Sequence, residues 1–506
     1  MSEPSHEFVL GVDIGTTGCK TMAVAPDYRV LAEGFAAYPV LSSRPTYAEQ
    51  DPTLVVKQTL FAARECLSQV PGAPRAICFG GALHSLVPVD VSDHPLMSAL
   101  TWADNRSSSQ IPNLKERIDP HALYLRTGCP LHPMYPLAKI HWLRDTAPEI
   151  FRATRRLVSI KECVTHAWTG EWVADSGVAS GSGLLNLASR DWDPRATALV
   201  GIDLAQLSPV RSPITLAGEL RAQIADELGI PRDTRVVLGG SDAAFSNVGV
   251  GALSPAILVV MIGSSGAVRV ITRDPMLDAD ERTWCYLFDE SRYLVGGAIN
   301  NGGLVLRWFA DHFVGPDISN AEELLVSEAA RVRPGAEGLI FLPFLAGERS
   351  PGWNSDARGV LFGLALHHGR QHVARALLES VAYRIRSVLE AVEDVVQPAV
   401  EIRASGGFLR SPLWVQILCD VLGRQIRVPN TGNTSALGAA LWAWHVCGAL
   451  DSLDSLERTI PIERVVQPHD DRHALYTQLY DLYRDLYTKL GGPFAAVSRI
   501  QSNYQE

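Results

Sequence analysis

Two copies of one short pattern, about half a chain apart, constrain this sequence more than any other feature. The first is Gly11 to Lys20, GVDIGTTGCK, and the second is Ile257 to Arg269, ILVVMIGSSGAVR. In each, an apolar, β-branched run enters a two-hydroxyl turn bounded by glycines and leaves as a second strand-like run, a pattern that predicts a β-hairpin. Glycine lets such a turn approach an anion closely. Its amides, with the hydroxyls of Thr16 and Thr17, can donate to phosphate oxygens. Asp13, just ahead of the first turn, would repel those oxygens unless a divalent cation lay between. Met261 stands at the matching place in the second copy, so only one half carries the acid.

A chain of 506 residues exceeds what one core supports and predicts two or three domains. Apolar residues at 47% and charged residues at 20% describe an ordinary globular protein, and the net charge of −10 is spread along the chain. No basic cluster with interleaved aromatics is present, which argues against a nucleic-acid partner. The start, MSEPSHE, lacks the regions of a signal peptide, and the apolar stretches 252–262 and 436–450 are too short or too interrupted to span a bilayer. A cytoplasmic protein without a membrane partner is expected. The eight cysteines form no CxxC and have no histidine at ligand spacing, which argues against a zinc site or a disulfide framework.

Residues 8–90 alternate strand-like runs with one amphipathic stretch, Thr53 to Gln69, as in a mixed sheet flanked by helices. The run AICFGGALH brings a strand to a Gly-Gly turn and then to His84, a place where α/β sheets commonly bind ligands. In TWADNR, an extended backbone would turn Trp102, Asp104 and Arg106 into one pocket. An indole, a carboxylate and a guanidinium together suit a polyhydroxylated ligand. Lys161, after the apolar RLVSI, is a candidate partner for an anionic substrate. In VVLGGSDAAF, a strand ends on Gly239 and Gly240 and Asp242 starts a helix that Ser241 can cap. The domain boundary is placed here, giving units 1–250 and 251–506. Further on, GGAINNGG (296–303) leads into a helix at 304–313, residues 371–396 have strong helical periodicity, and IRASGGFLRSPLW reads as strand, paired-glycine turn and helix. TSALGAALWAW is a small-residue helix suited to close packing, and Leu475, Leu479, Leu482, Leu486 and Leu490 mark a terminal amphipathic helix.

Several familiar sites are excluded. Cys19 precedes Lys20 where a P-loop needs glycine, and Ala267 replaces the second glycine of a nucleophile elbow around Ser265. No GxGxxG opens a helix after the first strand. What remains is two phosphate turns facing each other across a cleft, an acid suited to a metal, a carboxylate suited to act as a base, and a hydroxyl-binding loop. Phosphoryl transfer from a nucleotide to an alcohol needs that set.

Nearly the whole chain resembles the FGGY carbohydrate kinases. MYPLAKIHWLRD matches the family's first signature except at its end, where Thr146 stands in place of Glu, Asn, Gln or His, and GVLFGLALHHGRQHVARALLES, from Gly359, matches the second. AEQDP (48–52), ALHSLVPVD, TWADNRS, RTGCPLHPMYPLAKIHWL, IKE, GGAINNGGLVLRW and LAGERSPGWN are similar to the gluconate-phosphorylating branch. The resemblance implies two actin-like (ribonuclease-H-like) α/β domains closing over ATP, Mg²⁺ and a sugar. It implies Asp242 as base, Asp13 with Asp242 at the metal, and Thr16, Thr17, Gly18, Lys20 and Ser264 at the phosphates. Gly303, Gly407 and Ser411 match nucleotide contacts, Ser411 standing where glycerol kinases carry Asn. His84, Trp102, Asp104 and Met134 match the sugar pocket, with Arg106 in the same motif; His84, Lys161 and Arg106 are the candidates to meet a substrate carboxylate. The implied reaction is ATP-dependent phosphorylation of D-gluconate to 6-phospho-D-gluconate. The alternatives are the same chemistry on xylulose or a related polyol and, more remotely, a non-catalytic actin-like protein gated by nucleotide. The partner expected is a small sugar or aldonic acid, and the sequence leaves room for a homodimer.

Overall fold

The structure, a computed structural model, describes residues 7–44, 46–315, 318, 320–450 and 452–502. A first sheet contains β1 (Val9–Ile14), β2 (Gly18–Val24), β3 (Val30–Ala37), β4 (Ala76–Gly81) and β5 (Arg235–Val237), in the spatial order β5-β4-β1-β2-β3. β1 runs antiparallel to β2 and parallel to β4. All six of its residues are buried. A central strand covered on both faces needs a nearly continuous apolar run, which VLGVDI supplies.

A second sheet contains β6 (Ile257–Ile262), β7 (Gly266–Thr272), β8 (Trp284–Leu287), β9 (Tyr293–Ile299), β10 (Glu401–Ser405), β11 (Ile426–Pro429) and β12 (Ile462–Val466), in the order β8-β9-β7-β6-β10-β11-β12. With the outer strands β8 and β12 set aside, β9-β7-β6-β10-β11 repeats the order β3-β2-β1-β4-β5. The duplication of the two turns is therefore a duplication of topology. Met261, paired with Ser405, sits where Asp13, paired with Gly80, sits in the first sheet.

Helix α1 (Pro52–Leu67) covers one face of the first sheet, where the Thr21 hydroxyl donates to the Ala62 carbonyl at 2.9 Å. Its start is fixed by Asp51, whose carboxylate accepts from the amides of Thr53 and Leu54, with Pro52 at the first helical position. Helices α2 (Pro136–Thr146) and α3 (Ile160–Thr169) follow, and α4 (Asp242–Gly249) leaves the end of β5. In the second half α5 (Leu304–Phe313), α6 (Arg370–Val395) and α7 (Pro412–Leu422) precede α8 (Thr434–Val446), which leaves the end of β11 as α4 leaves β5.

These two equivalent helices join the halves. α8 packs against α4 and against the other face of the first sheet, and the contact is backbone to backbone. A Cβ on Gly11 would run into the carbonyl of Ala436, one on Gly249 into that of Thr434, and one on Gly438 into that of Phe245. The small residues of TSALGAALWAW allow this approach. The Trp444 indole then fixes the helix by donating to the Val24 carbonyl at 3.1 Å.

The last long helix, α9 (Asp470–Lys489), packs Leu479 and Leu486 at the edge of the core but buries its tyrosines more deeply. Tyr476, Tyr480 and Tyr483 are buried, whereas Leu475 and Leu482 are 37% and 40% exposed. α6 meets it with buried polar groups: the Tyr476 hydroxyl donates to Glu379 at 2.8 Å and accepts from Arg375 at 2.7 Å. Tyrosine satisfies those groups and leucine cannot, so hydrogen bonding takes the tyrosines deeper. Among the described residues no helix is long and apolar enough to cross a membrane.

Candidate active site

Both glycine turns form. The Gly15 amide donates to the Gly18 carbonyl at 3.1 Å, and the Gly263 amide to that of Ser265 at 2.8 Å. Thr17, Lys20 and Ser264 are exposed, while Thr16 is half-buried and Gly18 is buried at the start of β2. The first turn is propped by Tyr38, whose hydroxyl donates to the Gly15 carbonyl (2.8 Å), and by Gln50, which donates to that of Thr16 (2.7 Å). Trp102 donates its indole N–H to the Thr16 hydroxyl at 2.9 Å. That hydroxyl keeps its own proton to donate elsewhere. Gly303 props the second turn, its amide donating to the Gly263 carbonyl at 2.7 Å. Gly407 faces open space, since a Cβ there would find nothing nearer than Arg410 at 3.7 Å. The Ser411 hydroxyl caps α7 by accepting from the Trp414 amide at 3.2 Å.

The ends of β1, β4 and β5 meet beside the first turn, where the Ala82 amide donates to the Ile14 carbonyl (3.0 Å) and the Gly81 amide to that of Gly240 (3.1 Å). This brings Asp13 and Asp242 together. Asp242 opens α4 with Ser241 as its cap, and its Oδ1 accepts from the Ala243 amide at 2.7 Å. Burial raises the Asp242 carboxyl above the ordinary carboxylate range, while Arg269 and the Ala243 amide pull it back. Asp13 is 8% exposed, and its Oδ1 is buried without a partner. Burial first and the Asp242 charge second lift its carboxyl to about 7. An orphaned carboxylate oxygen beside a second carboxylate fits a divalent cation. Among the described residues no group of three or more His, Cys, Asp or Glu could hold a metal ion. The fit is therefore to an ion that keeps water and phosphate ligands, as Mg²⁺ does.

One consequence is measurable without catalysis. The unfolded chain releases the Asp13 proton near pH 4, whereas the folded protein keeps it to about pH 7. Between those values the folded state binds more protons, so this group's contribution to stability falls as pH rises. In buffer free of metal and nucleotide, Asp13→Asn is expected to melt about 2–4 °C above the wild type at pH 8, with the gap closing toward pH 5. A gap that does not change with pH contradicts this.

Lys161 lies behind the base. Its ammonium donates to Asp175 at 2.7 Å and to the Gly240 carbonyl at 3.0 Å, and the side chain is buried. Lys161 is expected to meet a substrate carboxylate; the structure places its ammonium on Asp175 and on the turn that carries Asp242.

The TWADNR segment is corrected. It forms a turn followed by a 3₁₀ helix from Arg106, so the three side chains do not share a face. Asp104 accepts from the Ala48 amide (2.8 Å) and from the Arg106 guanidinium (2.8 Å), and Arg106 also reaches Glu49 at 2.6 Å while lying 3.6 Å over the Tyr47 ring. Asp104 and Arg106 build the loop, and Trp102 alone reaches the turn.

Around Trp102 lies an aromatic cluster. His84 has φ +66°, its Nδ1 lies 2.6 Å from the Gly181 carbonyl, and its ring meets Tyr135 and Tyr286 edge-on at 5.0 and 5.7 Å. Burial lowers its pKa to about 3, so the ring is neutral, donates through Nδ1 and leaves Nε2 as an acceptor. As a neutral acceptor it suits a hydroxyl. Met134 is buried next to Tyr135. Lys139 of α2 donates to the carbonyls of His84 (2.7 Å) and Thr101 (2.6 Å) and so ties the two loops of the cluster together. Tyr135, Tyr286, Lys139, Arg269 and Arg349 were not legible as site residues. For Arg269 a signal existed, a charge inside the otherwise uncharged, buried run GAVRVIT. A cavity of about 1790 Å³ adjoins the cluster and is lined from both halves by His132, Asn300, Trp308 and Trp353; Asp13 and Asp242 lie outside its walls.

Two sheets of one topology, each carrying a hydroxyl-bearing glycine turn, with an acid pair and an aromatic pocket at their seam, define a two-domain, actin-like sugar kinase. Residues 8–249 match the FGGY family of carbohydrate kinases, N-terminal domain, and residues 258–447 its C-terminal domain. The chain belongs to the FGGY carbohydrate kinases, which use ATP as phosphoryl donor. It is 35% identical over 499 residues to a gluconokinase of Bacillus subtilis, covering 96% of this chain and 97% of the relative. It is 28% identical over 485 residues to a xylulose kinase of Escherichia coli, covering 95% and 99%. Among solved structures, a gluconate kinase from Lactobacillus acidophilus superposes with a TM-score of 0.91 at 29% identity, covering 97% of this chain and 99% of that one.

Proposed function

We propose that this chain is a gluconokinase, transferring the γ-phosphoryl group of ATP to the terminal hydroxyl of D-gluconate to give 6-phospho-D-gluconate and ADP. The observation that carries this reading is the 35% identity to gluconokinases over nearly the full length, against 27–28% for the xylulose kinases of Bacillus subtilis and Escherichia coli. Asp242 takes the proton of the attacking hydroxyl, and its position at the start of α4 holds it in one orientation. Thr16, Thr17, Gly18 and Lys20 on one side and Ser264 on the other hold the phosphates, and Gly303, Gly407 and Ser411 lie on the nucleotide side. Bound Mg²⁺, held by Asp13 and Asp242, supplies neutralisation of phosphate charge. His84 accepts a hydroxyl proton in hydrogen bonding, while Trp102 and Met134 pack against the carbon chain. The two halves, 1–250 and 251–506, act as the two jaws of the cleft, and burial of the reactants keeps water from competing with the sugar.

Xylulose as the acceptor is the second reading. A ligand-bound xylulose kinase from Lactobacillus acidophilus superposes with the same TM-score of 0.91 at 29% identity. The product separates the two. Incubation with Mg²⁺, ATP and D-gluconate is expected to give one phosphate ester on a CH₂ carbon, visible by phosphorus–proton coupling in NMR. Unreacted gluconate beside phosphorylated xylulose would replace the first reading with the second.

A further inference from the structure

Three buried cations near the aromatic cluster are already engaged: Lys161 by Asp175, Arg106 by Asp104 and Glu49, and Lys139 by two carbonyls. Two buried guanidiniums differ. Arg349 donates from Nη2 to the Ile299 carbonyl at 2.9 Å and lies 4.7 Å over the Trp102 ring, while its Nε is buried without a partner. Arg269 has both Nε and Nη1 buried without partners. Neither makes an ion pair among the described residues.

The sheet register sets Arg269 on the face of the second sheet that carries part of the aromatic cluster. It lies opposite Gly296 on β9, which lies opposite Trp284 on β8, so Arg269, Trp284 and, two residues on, Tyr286 share one face. Tyr286 shares a 2.8 Å hydroxyl contact with Tyr135 of the other half. Arg349 comes from a loop of the second half and reaches the same cluster over Trp102. Burial lowers the pKa of Arg349 to about 10, and the charge of Arg269 adds to that. The charge facing Arg269 is Asp242, the base itself. Arg349 pairs with no carboxylate among the described residues, and a buried guanidinium with an N–H donor unspent is costly unless an anion joins it. A carboxylate matches the donor fork of a guanidinium.

We propose that Arg349 binds the carboxylate of an aldonic acid and so selects acid sugars over neutral ones, while Arg269 faces the base. The arrangement places the base at one end of the substrate and Arg349, stacked on the sugar-facing indole, toward the other. This rests on the gluconokinase reading and adds the residues that recognise the acid.

The test compares kcat/KM for gluconate, for gluconamide, in which the carboxylate is a neutral amide, and for the neutral hexitol sorbitol, with D-xylulose assayed alongside. The wild type is expected to prefer gluconate to gluconamide by about 10²- to 10³-fold, the scale of a buried charge left unpaired. Arg349→Met is expected to reduce that preference at least tenfold, chiefly through KM for gluconate. Equal use of gluconate and gluconamide by the wild type overturns the inference with no variant needed. So does an Arg349→Met loss that is equal for all acceptors, or one that appears in KM for ATP, which would assign the guanidinium to phosphate. A wild type that favours xylulose over all three acceptors instead overturns the gluconokinase reading, and this proposal with it.

Discussion

Replacing Asp242 with Asn is expected to lower turnover about 10³- to 10⁴-fold while the protein folds and still binds nucleotide. Asparagine has nearly the same shape and keeps an oxygen to accept from the Ala243 amide, the 2.7 Å bond that orients the side chain. It cannot take the proton of an attacking alcohol. Because burial holds the Asp242 carboxyl above the usual range, wild-type turnover should also fall on acidification at a pH above that of an ordinary aspartate, as the base becomes protonated. The Asn variant should lack that limb in its residual rate. ADP release measured across pH, with calorimetric binding of a non-hydrolysable ATP analogue, checks both. Turnover within tenfold of the wild type would remove Asp242 from the role of base.

The second large effect concerns stability. Gly438→Ala is expected to destabilise the whole protein by more than the ~1–3 kcal/mol of ordinary overpacking. Helix propensity predicts the opposite sign, since alanine is favoured over glycine by about 1 kcal/mol in a helix interior. The contact decides. A Cβ on Gly438 would overlap the Phe245 carbonyl, which belongs to the backbone of α4 and cannot swing aside as a side chain can. Relief requires α8 to move away from α4, and Gly249 against Thr434 and Gly11 against Ala436 would be disturbed with it. α4 carries Asp242, so activity should fall together with melting temperature and soluble yield. A variant that melts at or above the wild-type temperature would show that the helices have room to spare.

These two expectations draw on different amounts of sequence information. The paired turns, the strands around them and Asp242 were legible because each is local: β-branched runs, glycines at fixed offsets, and a cap before a helix. The small-residue helix was legible as a close-packing element, but not its partners, because Gly11, Gly249 and Gly438 meet Ala436, Thr434 and Phe245 only through the tertiary fold. TWADNR misled because alternation implies a shared face only in an extended chain, and Asp104 and Arg106 are drawn into a turn by the Ala48 amide and Glu49. The ion pair of Lys161 was hidden in a related way, since Asp175 lies fourteen residues on. On α9 the tyrosines go deeper than the leucines because α6 offers buried polar partners that no single-helix periodicity contains. Arg349 gave no local signal at all. Only its place over Trp102, beside Arg269, makes it a candidate for contact with substrate.

The most direct measurement is kcat/KM of the unmodified protein, with Mg²⁺ and ATP, for D-gluconate, D-xylulose and glycerol side by side. A site built to pair a buried charge rejects acceptors that lack it far more strongly than a site that reads shape alone, so gluconate should exceed both neutral acceptors by about 10²-fold or more. D-xylulose as the best acceptor, or ADP release at one rate with and without any acceptor, would contradict the account.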